Sequence, residues 1–462
     1  MKLSLLFSSA VALLGAMSLG LSAKTEATAS TVESVKVRID VDRTVLPADT
    51  TEKAVVKIAL DGVRSPRVGT RPPLNLAIVI DRSGSMTGDK IVKAREAALE
   101  AVERLSPDDI VSLVVYDNQV DTLVPAQRVG NRRRLLEAIR GIEPRGGTAL
   151  HGGVSRGASE VRKNLEDRGF INRVILLSDG LANVGPSSPE ELGRLGASLM
   201  KEGISVTTIG LGLGFNEDLM TRLAQRSDGN TYFVEHANDL SRIFAAELGD
   251  VMSVIARRVV IEIDFPKGVR PICFVGRDGT IRGQRAELTL NQLYGGQEKF
   301  ALIEVEVAPG ESGKELEIAR ARVNYDDTVQ QRETTVTATR KVTYSSSRTT
   351  VISSANHQVQ ADYATNVLAV AKDEAVALVD ANRRDAAGAL LRQRSSELQA
   401  TADLYKNGQM QAVAAAAAPA AAKLEQEGLS NSERKAFRAE NMQIYNQQST
   451  RSSSGSNSSE NK

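Results

Sequence analysis

Residues 74–86 read Leu-Asn-Leu-Ala-Ile-Val-Ile-Asp-Arg-Ser-Gly-Ser-Met, and this stretch decides the fold. Its first seven residues form a nearly continuous apolar run, which is typical of a strand buried on both faces of a parallel sheet. The run stops at Asp81, after which Ser83 and Ser85 alternate with other residues on an expected loop. Because parallel sheets bind ligands at the carboxyl ends of their strands, these polar side chains predict a binding site.

Farther along the chain, short apolar runs alternate with segments of helical periodicity. The apolar runs are Leu74–Ile80, Ile110–Val115, Val174–Leu177 and Ile204–Ile209. The helical patterns are Lys90–Leu105, Arg132–Ile142, Pro189–Lys201, Glu217–Arg226 and Asp239–Ile255. This alternation predicts a doubly wound α/β domain over residues 74–255, with a mostly parallel sheet and helices on both faces.

The segments on either side of this domain have the two-residue period of half-buried strands. In residues 24–73, Val35, Val37 and Ile39 alternate with polar neighbours, and residues 256–345 carry about six short strand patterns separated by turns. We predict that the N-terminal strands and the later ones form one β-sandwich, with the α/β domain inserted between them.

The C-terminal part, residues 356–448, is predicted to be helical. Ala, Leu and Val recur at helical spacing in Asp362–Asp380 and Arg384–Tyr405, and Ser430 with Glu433 has the capping-box pattern of a last helix. Residues 449–462 are rich in Ser and Asn and lack core-forming side chains, so we expect a disordered tail.

Residues 1–23 have the order of a secretory signal peptide. Lys2 precedes an apolar run that extends to Leu21, and the small residue Ala23 stands before the polar Lys24. An uncleaved membrane anchor is the alternative, since the run approaches the ~20 residues that span a bilayer. We expect export to the periplasm, the medium or the cell surface, with membrane contact only if the segment stays uncleaved.

Charge and cysteine content argue against a nucleic-acid-binding protein and against a fold stabilised by disulfides. The chain has 58 Lys+Arg against 57 Asp+Glu, so its net charge of +1 gives no overall electrostatic attraction for nucleic acid. Cys273 is the single cysteine, so the fold cannot depend on disulfides within the chain. Because Ile272 and Phe274 flank it, we expect a small buried side chain rather than a reactive thiol.

Two further loops add oxygen atoms to those of the loop that carries Asp81, Ser83 and Ser85. Gly146-Gly147-Thr148 places a hydroxyl before a helix, and Ser178-Asp179-Gly180 places a carboxylate after another apolar strand. Oxygen ligands suit a hard divalent cation, Mg²⁺ or else Mn²⁺ or Ca²⁺, whereas the lack of Cys and paired His argues against zinc. The predicted metal ligands are Asp81, Ser83, Ser85, Thr148 and Asp179.

With these residues the sequence resembles the von Willebrand factor A family over about residues 74–255. Asp81, Ser83 and Ser85 match its Asp-x-Ser-x-Ser element, Thr148 its threonine and Asp179 its second aspartate, so the metal-ion-dependent adhesion site (MIDAS) is complete. The resemblance implies the fold of integrin inserted domains and of many exported bacterial proteins. It also implies hydroxyls that bind the metal directly, aspartates that act directly or through water, and a coordination position for a partner's carboxylate.

The expected function is therefore metal-dependent protein binding outside the cytoplasm, in adhesion or in complex assembly. One alternative is a structural scaffold in which the metal only braces the loops. A metal-assisted hydrolase is disfavoured because no activated nucleophile with an oriented base is evident, so we expect neither enzymatic activity nor a small-molecule substrate. Gly210-x-Gly212-x-Gly214 lacks the spacing of a dinucleotide-binding loop and indicates a tight turn.

Overall fold

The computed structural model describes residues 33–63, 72–130, 132–167, 169–212, 215–234, 238–249 and 254–450. The predicted signal peptide, residues 1–23, lies outside these ranges, as do residues 451–462 of the predicted tail. Within the described ranges, no helix has both the length and the apolar character needed to cross a bilayer.

The described chain begins with three strands and then enters an α/β domain. The first strands are β1 (Val35–Val41), β2 (Val45–Pro47) and β3 (Glu52–Gly62). The domain has the strands β4 (Leu74–Asp81), β5 (Ile110–Tyr116), β6 (Val120–Arg128), β7 (Ile171–Ser178), β8 (Ile204–Leu211) and β9 (Thr231–Val234). Its helices are α1 (Asp89–Glu103), α2 (Arg132–Arg140), α3 (Leu150–Arg162), α4 (Pro189–Lys201), α5 (Glu217–Arg226) and α6 (Asn238–Gly249).

The α/β sheet has the strand order β6-β5-β4-β7-β8-β9 and is parallel except for β6, which pairs antiparallel with β5. All eight residues of β4 are buried, because helices cover both faces of the sheet. Ile78 packs in the cluster that contains Ala94 of α1, whereas Val79 packs in the cluster that contains Val154 of α3. The predicted fold class, a mostly parallel sheet between two layers of helices, is confirmed.

Seven strands follow the α/β domain: β10 (Val254–Asp264), β11 (Val269–Val275), β12 (Thr280–Arg282), β13 (Arg285–Tyr294), β14 (Gln297–Val307), β15 (Glu315–Asp327) and β16 (Arg332–Ser345). They form two sheets with the N-terminal strands, in the orders β1-β3-β14-β11 and β12-β13-β10-β15-β16-β2. Since β3 pairs with β14, the N-terminal strands lie in the sandwich and the α/β domain is inserted between its strands.

The helix predicted over Asp239–Ile255 is too long. Helix α6 ends at Gly249, and the buried Val254 and Ile255 already begin β10 of the sandwich. A short stretch of apolar residues is compatible with a helix or a strand. Here Val254 pairs with Tyr294 of β13, so the stretch is a strand.

The C-terminal helices are α7 (Arg348–Ser353), α8 (His357–Asp380), α9 (Arg384–Tyr405), α10 (Gly408–Gln426) and α11 (Asn431–Tyr445). Ser430 and Glu433 form the predicted capping box at the start of α11. Helix α8 packs on the sandwich through Val359, in one apolar cluster with Ala59 and Leu302.

The tail does not begin at residue 449 as predicted, because a last strand, β17 (Gln448–Thr450), pairs with β14. The preceding Gln447 is buried, its side-chain amide donates to the Val275 carbonyl oxygen at 2.7 Å, and its carbonyl oxygen accepts from the Phe300 amide at 2.9 Å. These hydrogen bonds attach the end of the described chain to the sandwich.

Cys273 is exposed, contrary to the prediction that it is buried. It follows a register irregularity in the pairing of β11 with β14, between Pro271 and Cys273. Although the residue is exposed, desolvation of its thiol by neighbouring groups and the nearby Glu304 carboxylate raise the pKa of Cys273 above its ordinary value. The thiol therefore stays protonated at neutral pH, the state in which it is a poor nucleophile.

Buried charges join the α/β domain to the sandwich. The Arg173 guanidinium of β7 donates to the Glu247 carboxylate of α6 at 2.6 Å and to the Tyr294 hydroxyl of β13 at 3.1 Å. Asp228, after α5, lies 3.3 Å from the Lys299 ammonium and 3.4 Å from the Arg277 guanidinium. Burial alone would raise the pKa of Asp228, but these two cations outweigh it and hold that pKa below its ordinary value.

Helix α11 packs against the start of α5 through a second set of ion pairs. The Lys435 ammonium lies 3.1 Å from the Glu217 carboxylate, and both side chains are buried. The Arg438 guanidinium lies 2.9 Å from the Asp218 carboxylate. The first turn of α5 is thus held by the C-terminal helices as well as by its own sheet.

Candidate metal centre

Three loops carry the predicted ligands to one edge of the α/β sheet. Asp81 is the last residue of β4, and Asp179 directly follows the neighbouring strand β7. Thr148 lies in the loop before α3. The Gly84 amide donates to the Gly146 carbonyl oxygen at 2.9 Å, and the Asn183 amide donates to the Thr148 carbonyl oxygen at 3.1 Å. Each loop is therefore hydrogen-bonded to the next.

Asp81 is a fully buried carboxylate at the floor of this edge. Its Oδ1 accepts from the Ser83 amide at 2.8 Å, and its Oδ2 accepts from the Ser178 hydroxyl at 2.6 Å. Burial raises the pKa of Asp81 to about 6, although these hydrogen bonds oppose the rise. A charged carboxylate in such a place is costly unless a cation compensates it.

Ser83 and Ser85 place two hydroxyl oxygens 3.0 Å apart beside Asp81. Ser83 is buried and Ser85 is exposed, so the pair runs from the floor of the site to its surface. Neighbouring oxygens around an octahedral Mg²⁺, with bonds of about 2.1 Å, are separated by about 3.0 Å. The spacing of the two hydroxyls therefore fits two adjacent ligands of one small divalent cation.

Asp179 is the second fully buried carboxylate of the edge. Its Oδ2 lies 2.8 Å from the Lys90 ammonium, and its backbone carbonyl oxygen accepts from the Asn216 amide at 2.9 Å. Gly180, the next residue, has a φ of +65° and would place a Cβ 3.0 Å from the Asn216 carbonyl oxygen. Glycine is required there for both reasons, which fixes the direction in which the chain leaves the site.

Thr148 is buried, and its amide donates to the Asn183 side-chain oxygen at 2.8 Å. The glycine before it, Gly147, would place a Cβ 2.4 Å from the Asn118 side-chain oxygen. The glycine-rich loop thus lets the backbone come close to its neighbours and brings a threonine to the edge.

Sequence reasoning missed three residues of this site. Ser178 bridges the Tyr116 hydroxyl, which donates to it at 2.9 Å, and the Asp81 carboxylate. The position of this serine, directly after the apolar run Val174–Leu177, is a signal that could reveal it, because a hydroxyl buried there needs partners. Lys90 and Tyr116 reach the site from other elements, and no local sequence pattern indicates their contacts.

The donor set is a mixture of hydroxyls and carboxylates. Within the described ranges, no three His, Cys, Asp or Glu side chains gather into a possible metal-binding group. A cation at this edge would therefore depend on hydroxyl oxygens as well as on carboxylates, which suits Mg²⁺ and is contrary to zinc.

The rim of the site carries paired charges and two apolar side chains. The Arg82 and Arg145 guanidiniums each lie 2.8 Å from the Asp117 carboxylate. Leu181 and Val184, on the loop after Asp179, are 41% and 36% exposed. The surface around the site therefore carries exposed apolar side chains as well as paired charges.

A family model described as the von Willebrand factor type A domain matches residues 75–246. Uncharacterized protein sll0103 of Synechocystis sp. is 29% identical over 269 residues, which are 56% of this chain and 62% of that protein. Inter-alpha-trypsin inhibitor heavy chain H3 of Homo sapiens is 30% identical over 164 residues, 34% of this chain and 18% of its own length. The chain thus spans less than two thirds of either relative.

Among solved structures, a von Willebrand factor type A protein from Catenulispora acidiphila superimposes with a TM-score of 0.63. The match covers 80% of this chain and 89% of that one, at 18% sequence identity. At this identity the likeness concerns the fold alone. It extends beyond the α/β domain into the flanking regions.

Proposed function

Because residues 75–246 form a von Willebrand factor type A domain, we propose that the protein binds a divalent cation, Mg²⁺ first, and uses it to bind another protein. The observation that carries the proposal is the pair of hydroxyls of Ser83 and Ser85, 3.0 Å apart beside the buried Asp81 carboxylate. The five residues that would hold the cation are Asp81, Ser83, Ser85, Thr148 and Asp179.

The bound cation would supply a positive centre at the protein surface that attracts an oxygen anion. Asp81 and Asp179 would balance its charge from below, and the exposed Ser85 marks the side open to solvent. A carboxylate of a partner protein suits the remaining position, since hard cations prefer carboxylate oxygens. Leu181 and Val184 would add apolar contact beside it.

The proposal of a protein partner draws on the relatives as well as on the site. The human relative is named a heavy chain of an inter-alpha-trypsin inhibitor, a name that describes one part of a protein assembly. Export is also part of the proposal and rests on the signal-peptide pattern of residues 1–23.

A purely structural role for the metal is less well supported. The three loops are already joined by the Gly84–Gly146 and Asn183–Thr148 backbone hydrogen bonds, so they have internal supports besides a cation. A hydrolase is also less well supported, because the Ser83 and Ser85 hydroxyls contact each other and the buried Asp81 carboxylate beside them already accepts from the Ser178 hydroxyl and the Ser83 amide.

The test is calorimetric titration of Mg²⁺ and Mn²⁺ into the wild type and into the Asp81→Asn and Asp121→Asn variants. Asp121, at the rim and partly exposed, is the matched control for loss of one carboxylate charge. We expect Asp81→Asn to weaken binding more than the roughly 10–100-fold of an outer-shell change, with an unaltered circular dichroism spectrum. Asp121→Asn should bind like the wild type.

The partner is sought by affinity capture with the wild type and Asp81→Asn as baits, each in Mg²⁺ and in chelator. A protein retained only by the wild type in Mg²⁺ supports metal-dependent binding. Equal metal affinity of the wild type and Asp81→Asn would refute the site. Metal binding without any metal-dependent partner would favour the structural role.

A further inference from the structure

Lys90 brings a positive charge into the candidate metal centre from the first turn of α1. Its ammonium lies 2.8 Å from Oδ2 of Asp179, a carboxylate that is fully buried. The Lys90 side chain itself is three quarters buried, with 25% of its surface exposed. An ion pair this enclosed is screened much less by solvent than a pair on the protein surface.

The stem of Lys90 is confined as well as its charged end. Gly212 has a φ of +78°, and a Cβ at that position would lie 3.1 Å from Cε and 3.4 Å from Cγ of Lys90. The backbone of the loop after β8 therefore lies against the lysine methylenes and holds the ammonium towards Asp179. The glycine of the predicted tight turn thus has a second role, which is to leave room for this side chain.

The charges of the centre can be counted with and without a cation. Asp81 and Asp179 balance the two positive charges of a divalent cation, and the Lys90 ammonium then leaves the loaded centre with one net positive charge. Without the cation, the same three side chains leave one net negative charge. Lys90 therefore repels the metal, and it makes the loaded centre attractive to an anion.

We propose that Lys90 sets two affinities of the centre. It lowers the affinity for the divalent cation and raises the affinity of the loaded centre for a carboxylate. This inference rests on the proposed function, since it concerns the same site. When the lysine charge is removed, the affinity for the cation should rise and the affinity of the loaded centre for a carboxylate should fall. A lysine that only stabilises the loop of Asp179 has no such pair of effects.

The test compares the wild type with Lys90→Met, which keeps the stem without the charge, and with Lys90→Arg, which keeps the charge. Mn²⁺ affinity is measured by electron paramagnetic resonance of the free ion. The carboxylate is acetate, whose displacement of water from bound Mn²⁺ lowers the proton relaxation rate of the solvent. Thermal unfolding monitors whether each variant is folded.

We expect Lys90→Met to bind Mn²⁺ about tenfold more tightly, because one positive charge has been removed from its vicinity. The acetate concentration needed for half of the relaxation change should rise several-fold in the same variant. Lys90→Arg should resemble the wild type in both measurements.

Unchanged or weaker Mn²⁺ binding in a folded Lys90→Met variant would overturn the inference, as would tighter acetate binding. If neither the wild type nor Lys90→Met binds Mn²⁺, the proposed metal site itself fails, and the role of Lys90 fails with it. Binding by Lys90→Met alone would overturn the inference, because the wild type would then form no loaded centre whose carboxylate affinity Lys90 could raise.

Discussion

Strands β4 and β15 differ in how their residues are buried. Every residue of β4 is buried, whereas in β15 the buried Ala321 and Val323 alternate with the exposed Arg320 and Arg322. Helices cover both faces of the first sheet, but only one face of the second packs against the other half of the sandwich. In the α/β sheet the faces are committed to the core, and polar side chains are brought together where its strands end.

The charged residues of the two regions differ accordingly. On the sandwich, Arg320 pairs with Glu317 at 3.1 Å, and the Arg320 side chain is mostly in solvent and that of Glu317 partly so, where such pairs contribute little. At the end of the α/β sheet, Asp81 and Asp179 are fully buried. Buried carboxylates that nearby cations do not fully neutralise are a sign of a functional site. Exposed ion pairs such as that of Arg320 with Glu317 belong to an ordinary solvated surface.

The largest expected effect lies at the junction between the two regions. Asp228→Asn should lower the free energy of unfolding by about 3–5 kcal/mol at pH 7, because it leaves the Lys299 and Arg277 cations without their buried carboxylate. Asparagine tolerates the positive φ of this position, +54°, so the backbone should not contribute. Urea unfolding of the wild type and the variant measures the difference.

The difference in the free energy of unfolding between the wild type and Asp228→Asn should depend on pH. The folded pKa of Asp228 lies below its ordinary value of 3.8, so its stabilising effect is complete above that pH and is lost as the pH falls through the folded pKa. The two unfolding curves should therefore approach each other as the pH falls below 3.8. A difference that stayed constant into acid would show that Asp228 is not an ionised partner of these cations.

Truncations along β4 and β15 test the burial pattern itself. Ile78→Ala should cost about 2–5 kcal/mol, and its neighbour Val79→Ala about 1.5–3 kcal/mol. Both side chains lie in cores, on opposite faces. In β15, Val323→Ala should be costly and Arg322→Ala should stay within about 0.5 kcal/mol. Denaturant unfolding of the four variants compares the strands, and a neutral Val79→Ala would contradict burial on both faces.

Magnesium should stabilise the α/β domain and leave the sandwich unchanged. A ligand at a hundredfold excess over its dissociation constant adds about 2.7 kcal/mol to the native state. Hydrogen exchange should show slower exchange of the amides in the loops around Asp81, Thr148 and Asp179. The amides of β15 and β16 serve as the internal control, and equal protection of these strands would contradict a local site.

Much of the α/β domain could be predicted from its sequence because buried strands are continuous apolar runs. The ends of two of these runs also locate Asp81 and Asp179 at the edge where the structure has them. The flanking strands are predictable from their alternation of apolar and polar residues, and Ser430 with Glu433 marks the start of α11. In each case the signal is local, since side-chain chemistry and spacing alone carry it.

The remaining features depend on contacts between distant parts of the chain. Strand β6 contains Pro125 and few buried residues, and its position is set by pairing with β5 at the edge of the sheet. Strand β17 lies in a polar segment and is a strand because β14 offers it hydrogen bonds. Lys90 gives no local sign that it will reach Asp179, because the two are brought together only when α1 and β7 pack in one domain.

The position of the insertion has a mechanical consequence. Strands β1 and β3, at the start of the described chain, and β17, at its end, lie in the same sheet of the sandwich. Tension between these ends would load the sandwich and bypass the α/β sheet. A pull from a partner at the metal edge would instead cross the Arg173 and Asp228 ion clusters and the contacts of α11 with α5. The protein would thus have separate force paths for its own chain and for the partner proposed above.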